Sequence, residues 1–196
     1  MAKNKGLPTE IPSEDLLEGE IRKERYKNNF GRILRSTIFS LIVVVAVAVI
    51  VVVLLMPVLQ ITGTSMTDTL FDGDIVIAMN GSGYETGDVI AFYYNNTILI
   101  KRVIASAGDW VNIDKDGNVY VNEVLIDEPY VTEKALGECN IPLPYQVPEA
   151  RYFVMGDHRM TSIDSRNTAV GCVSDEMVIG RLLLRVWPFT KIGTVK

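Results

Sequence analysis

A mainly β domain of antiparallel strands, anchored in a membrane by one N-terminal transmembrane helix, is the fold class the sequence predicts. Three observations carry it. The run Ile38–Leu59 contains no charged residue. Beyond Pro57 the chain breaks into short stretches of β-branched and aromatic residues separated by turn formers. Past the apolar run, no stretch of useful length repeats its apolar residues at helical spacing.

At roughly 1.5 Å per residue, a helix over the apolar run crosses the ~30 Å hydrocarbon core of a bilayer. Its β-branched residues favour a strand in water, but in lipid only a helix satisfies the backbone within one segment. A buried core helix of this length would carry a polar face. A cleaved signal peptide would be shorter, would start earlier, and would be followed closely by a small-x-small pattern. Orientation follows from charge. Arg22, Lys23, Arg25, Lys27, Arg32 and Arg35 precede the span, and the next basic residue is Lys101. The N-terminus is therefore predicted to be cytoplasmic and everything beyond about residue 60 to lie outside. The predicted organisation is a cytoplasmic tail and basic flank over 1–35, a transmembrane helix over 36–59 and an extracytoplasmic β domain over 60–196. Within the first part, residues 1–20 read as a loose tail and 21–36 as an inward extension of the helix.

The chain of 196 residues has a formal net charge of −5, and the acidic excess lies beyond residue 35. An acidic outer domain without basic clusters argues against nucleic acid as a partner. Cys139 and Cys172 are the only cysteines; outside the cytoplasm they either pair or remain structural thiols. No spacing indicates a metal site, and no cofactor is implied. Strands are predicted at 74–79, 88–94, 97–105, 110–113, 119–122, 151–155 and 177–187. Asn95-Asn96 and Asp116-Gly117 read as hairpin turns, and the proline-bearing stretch 133–150 as a surface excursion. Asp114-x-Asp116-x-Asn118 resembles the start of a calcium loop, but Val119 stands where such a loop needs glycine, so a hairpin turn is the reading.

Three segments hold chemistry. Ser65, in Gly63-Thr64-Ser65-Met66, stands just past the membrane exit, either as an ordinary loop residue or as a nucleophile on a tight turn where backbone N–H groups can serve an oxyanion. Lys101 interrupts the apolar strand Thr97–Ala105. Either its ammonium snorkels from a barrel rim, or burial depresses its pKa and makes it a general base. A serine with a lysine base is a known variant of the hydroxyl-plus-base arrangement. The third segment is the dense polar loop 155–166, in which Asp157, Asp164 and Arg166 are expected to form one ion-pair network and Ser162 to hydrogen-bond the lysine amine.

Together these segments resemble type I signal peptidases in their short Gram-positive form. The resemblance rests on Ser65-Met66, Gly73-Asp74-Ile75-Val76, Lys101-Arg102-Val103 and Gly156-Asp157 through Arg166, in that order behind one span. It covers about residues 35–190. It implies a signal-peptidase-like β fold and a serine endopeptidase that removes signal peptides from exported preproteins after small residues of the Ala-x-Ala type. It implies Ser65 as nucleophile, Lys101 as base, Ser162 as the residue aiming the lysine, and Asp157, Asp164 and Arg166 as supports. Ile61, Met66, Leu70 and Ile100 match positions lining shallow pockets for small side chains. The peptide is expected to bind as an added strand. The implied partners are preproteins, membrane lipid and, nearby, the secretion machinery.

This chain departs from the family pattern in two places. Asp68 replaces the usual proline, and His158 stands where asparagine is common. Gly63 offers no side-chain oxyanion donor, leaving the second donor unassigned. Competing readings are a Ser65/His158/Asp triad, a sortase-like transpeptidase built on Cys172, and a catalytically inactive membrane-tethered β module that binds exported proteins. The first leaves Lys101 without a reason to occupy an apolar strand, and the second lacks the Thr-Leu-x-Thr-Cys context. The third predicts a missing dyad member, and both are present.

Overall fold

The computed structural model describes residues 14–195. The part of the expected tail that falls on residues 1–13 lies outside them. Contacts divide the chain into two units after Val52.

The first unit is dominated by α1, Glu14–Leu55. Glu14 and Asp15 sit in its first turn, where a negative charge suits the helix dipole. The stretch Leu17–Val52 is long and apolar enough to cross a membrane, and its described side chains are exposed. The helix starts earlier than expected, within the supposed tail. It also stops at Leu55 rather than running to 59. Pro57 has no N–H to continue the ladder and biases Met56 towards an extended conformation.

The second unit is mainly β, as predicted. Its strands are β1 (Val58–Gln60), β2 (Ile75–Met79), β3 (Val89–Tyr94), β4 (Thr97–Ala105), β5 (Trp110–Ile113), β6 (Val119–Val121), β7 (Val124–Leu125), β8 (Tyr145–Gln146), β9 (Arg151–Met155), β10 (Val173–Ser174), β11 (Val178–Trp187) and β12 (Gly193–Thr194). All pairings are antiparallel. The larger sheet runs β1-β2-β11-β3-β4-β9-β10 with β12 on β11, and the smaller runs β7-β6-β5-β8. Asn95, at φ 51°, and Gly117, at φ 81°, occupy the two expected hairpin turns. Asp114 Oδ1 accepts the N–H groups of Asp116 and Asn118, which makes the Asp114–Asn118 run a side-chain-capped turn.

Two pairing details place the site. β1 ends the larger sheet, so its outer edge pairs with no strand among the described residues. β4 pairs β3 over Thr97–Arg102 but β9 only from Arg102 onward, which leaves the Ile98–Lys101 edge facing away from β3 open among the described residues. Beneath the turn that follows β1, Ile61, Met66, Leu70, Val76, Ala78, Val89, Ala91 and Leu182 form one apolar cluster. A second cluster, including Ile104, Val111, Phe153 and Met155, joins the two sheets.

Candidate active site

Ser65 lies on a tight turn that starts just after β1. Thr67 donates its N–H to the Thr64 carbonyl, and Leu70 donates to Met66. Gly63, at φ 90°, begins the turn, a conformation that favours glycine. Its N–H goes to Asp72 Oδ1 at 2.9 Å, so that amide is already taken. Among the described residues, none accepts a hydrogen bond from the Ser65 N–H.

The fold brings Lys101 to this turn. Its Nζ lies 2.6 Å from Ser65 Oγ, a hydrogen bond between residues 36 positions apart. Lys101 is 2% exposed. Burial is the largest influence on its amine and lowers the pKa to about 8; Asp164 and Asp157 push the other way and Arg166 adds to the lowering. The amine is therefore buried, not snorkelling, and is poised to lose its proton near neutral pH.

The loop after β9 closes the site. His158 donates its N–H to the Ser65 carbonyl at 3.1 Å, tying loop and turn together. Gly156 must be glycine: a Cβ there would collide with that same carbonyl and with Ser162. Asp164 and Arg166 pair as expected, with Arg166 Nε on Oδ1 and Nη2 on Oδ2, both at 2.8 Å. Asp164 also accepts the Gly156 N–H, and Arg166 reaches the Leu136 and Arg159 carbonyls.

Three expectations need correction. Asp157 is not part of that network. It binds Arg102 instead, with Nε 2.9 Å from Oδ1 and Nη2 2.7 Å from Oδ2, and it accepts the Thr69 hydroxyl. A bidentate fork from the neighbouring strand outcompetes an arginine already committed to Asp164. Ser162 is buried, but its hydroxyl makes no hydrogen bond among the described residues, so the bond to Lys101 is not formed. Leu70 packs into the cluster beneath the turn rather than lining the cleft.

The cleft itself has a volume of about 210 Å³ and runs between the open edges of β1 and β4. Ile61, Met66 and Ile100 line it beside Ser65 and Lys101. Cys139 and Cys172 are free thiols, and burial pushes the Cys172 thiol up to about 11. The ring of His158 is engaged with Thr161, its Nδ1 2.7 Å from Oγ1, rather than with Ser65. Asp68, in the position of the usual proline, accepts the Thr132 hydroxyl at 2.6 Å.

The chain matches the family described as signal peptidase, peptidase S26 over residues 34–187. It belongs to that family. Thylakoidal processing peptidase 1, chloroplastic, of Arabidopsis thaliana is 35% identical over 151 residues, covering 68% of this chain and 43% of that protein. Signal peptidase I U of Bacillus subtilis is 29% identical over 177 residues, covering 84% of this chain and 94% of the relative. Signal peptidase IB of Staphylococcus aureus is 36% identical over 153 residues, covering 67% and 78%. The chain thus spans less than half of the plant relative and most of each bacterial one. The match takes in Ser65, Lys101 and the whole loop 155–166.

Arg102, Glu128, Tyr130 and Arg159 also build the site, and sequence reasoning gave them no role. Arg102 stood in a recognised motif next to Lys101, and a charged residue in an apolar strand was the signal that could have flagged it.

Proposed function

We propose that this chain is a membrane-anchored signal peptidase I, a serine endopeptidase that removes signal peptides from exported preproteins through a Ser65/Lys101 dyad. The observation that carries the reading is the 2.6 Å contact between Ser65 Oγ and a buried lysine amine whose pKa lies near 8. The neutral amine takes the hydroxyl proton as Oγ attacks the scissile carbonyl carbon. The Ser65 N–H faces the developing oxyanion. The Lys101 ammonium then passes its proton to the leaving amine, and the freed base activates the water that hydrolyses the acyl-enzyme.

Substrate geometry follows from the two open strand edges. A preprotein segment adds as a strand between β1 and the Ile98–Lys101 edge of β4, and its alternate side chains enter the cleft. Ile61, Met66 and Ile100 leave room for small residues at the position before the cut and two positions earlier. The apolar stretch of α1 anchors the enzyme with its N-terminus in the cytoplasm, where the basic flank belongs. The catalytic domain then works outside, at the lipid surface and near the machinery that delivers its substrates. Asp157, Asp164 and Arg166 hold the site without reacting.

The test is to incubate the purified full chain in detergent with a preprotein and map the cut by mass spectrometry. Cleavage after an Ala-x-Ala segment that disappears in Ser65→Ala supports the reading. Binding of preprotein without any cut would favour an inactive tethered module.

A further inference from the structure

Glu128, Tyr130 and Thr132 belong to the connection between β7 and β8, which takes no part in the mechanism above. Each reaches a different segment of the site. The Glu128 carboxylate pairs with the Arg159 guanidinium, and both side chains are 0% exposed. Arg159 in turn donates through Nε to the Gly156 carbonyl at 3.2 Å, within the loop that holds Ser65 from behind. The Tyr130 ring stacks on the Arg102 guanidinium, 3.8 Å from the ring centroid, one residue along β4 from Lys101. The Thr132 hydroxyl binds Asp68 on the Ser65 turn.

We infer that residues 128–132 are a positioning clasp that holds the Ser65 turn, the Lys101 strand and the 156–166 loop in register for catalysis. The inference rests on the reading of Ser65 and Lys101 as the reacting pair. These groups lie far apart in sequence and meet through long-range contacts, and a misplacement of ~1 Å at a reacting pair costs on the order of a hundredfold in rate. Stability is a poor explanation for the buried Glu128–Arg159 pair, because apolar residues of similar volume generally serve the fold as well or better. What the pair offers is direction. A carboxylate held by a planar guanidinium fixes where Arg159 points, and hence where the Gly156 carbonyl sits. The aromatic face of Tyr130 does the same for Arg102.

The experiment compares kcat, KM and melting temperature for preprotein cleavage by the wild-type full chain, the double variant E128M/R159M, Tyr130→Leu and Tyr130→Phe. The clasp predicts that E128M/R159M melts close to wild type while kcat falls about tenfold or more and KM changes little. Tyr130→Leu loses kcat in the same way, and Tyr130→Phe, which keeps the ring, recovers most of it. A folded double variant with wild-type kcat overturns the clasp. If that variant does not fold, the tyrosine pair decides, and Tyr130→Leu with wild-type kcat overturns it equally. Ser65→Ala run alongside separates the two failures. A wild-type chain that cleaves no faster than Ser65→Ala removes the dyad and the clasp with it, whereas wild-type rates in every clasp variant remove the clasp alone.

Discussion

Lys101 and Arg102 follow one another on β4 and are buried to 2% and 1% exposure, yet their surroundings differ in kind. Around Arg102 the fold supplies acceptors: both Asp157 oxygens, the Gly87 carbonyl at 2.8 Å, and the face of Tyr130. Around Lys101 the one hydrogen-bond partner of Nζ among the described residues is the Ser65 hydroxyl, and the nearby carboxylates act only at a distance. Burial without a counter-ion costs a cation its charge, and burial with one makes the charge permanent. Arginine suits the second environment because it does not deprotonate, and lysine suits the first because it can. One strand thus places a cation fixed by its acceptors beside a titrating amine whose pKa burial lowers.

Removing the titrating side should have the largest effect. Ser65→Ala and Lys101→Ala should each lower preprotein cleavage by several orders of magnitude, with the double variant little worse. Circular dichroism should show all three folded, and more than about a tenth of wild-type activity in Lys101→Ala would break the contrast.

Removing the fixed side should instead damage the fold. Arg102→Ala leaves Asp157 buried and unpaired, so denaturant unfolding should show a loss of roughly 3–5 kcal/mol. A loss close to zero would mean that the pair is not what holds this side together.

A smaller effect, of opposite sign, is expected for Lys101→Met. Burial lowers the folded-state pKa of Lys101 from 10.5 to about 8. Below about pH 8 both folded and unfolded chains carry the proton, and wild type bears the full burial penalty. Between about 8 and 10.5 only the unfolded chain binds it, so wild-type stability rises with pH until the penalty is gone. Lys101→Met should therefore be more stable than wild type at pH 7 by on the order of 3 kcal/mol. Its advantage should shrink as the pH approaches 10. A variant less stable than wild type at pH 7 would contradict the account of a penalised amine.

The smallest change is expected from Ser162→Ala. Its hydroxyl is buried and unpartnered, so deleting it should leave the melting temperature unchanged or slightly raised. A clear drop would show that the hydroxyl makes a bond in solution after all.

Runs of β-branched and aromatic residues bounded by turn formers made β4, β5 and β9 readable to the residue. The two- and three-residue strands Val58–Gln60, Val124–Leu125, Tyr145–Gln146, Val173–Ser174 and Gly193–Thr194 are too short to show a period, and tertiary pairing alone creates them. The lysine in an apolar strand was legible because it broke a local rule. The partner of Asp157 was not, because Arg166 is close in sequence and Arg102 only in space. Glu128 and Tyr130 stand in an irregular segment without a motif, and only the fold shows what they touch.

The most direct test of the central claim is the pH dependence of preprotein cleavage by wild type, Lys101→Arg and His158→Asn. If Lys101 is the base, wild-type activity rises with pH through an apparent pKa near the value of about 8 set by burial. His158→Asn keeps that rising limb and substantial activity, and Lys101→Arg is inactive despite its retained charge. An active Lys101→Arg together with a folded, inactive His158→Asn would contradict the account and give the proton transfer to histidine.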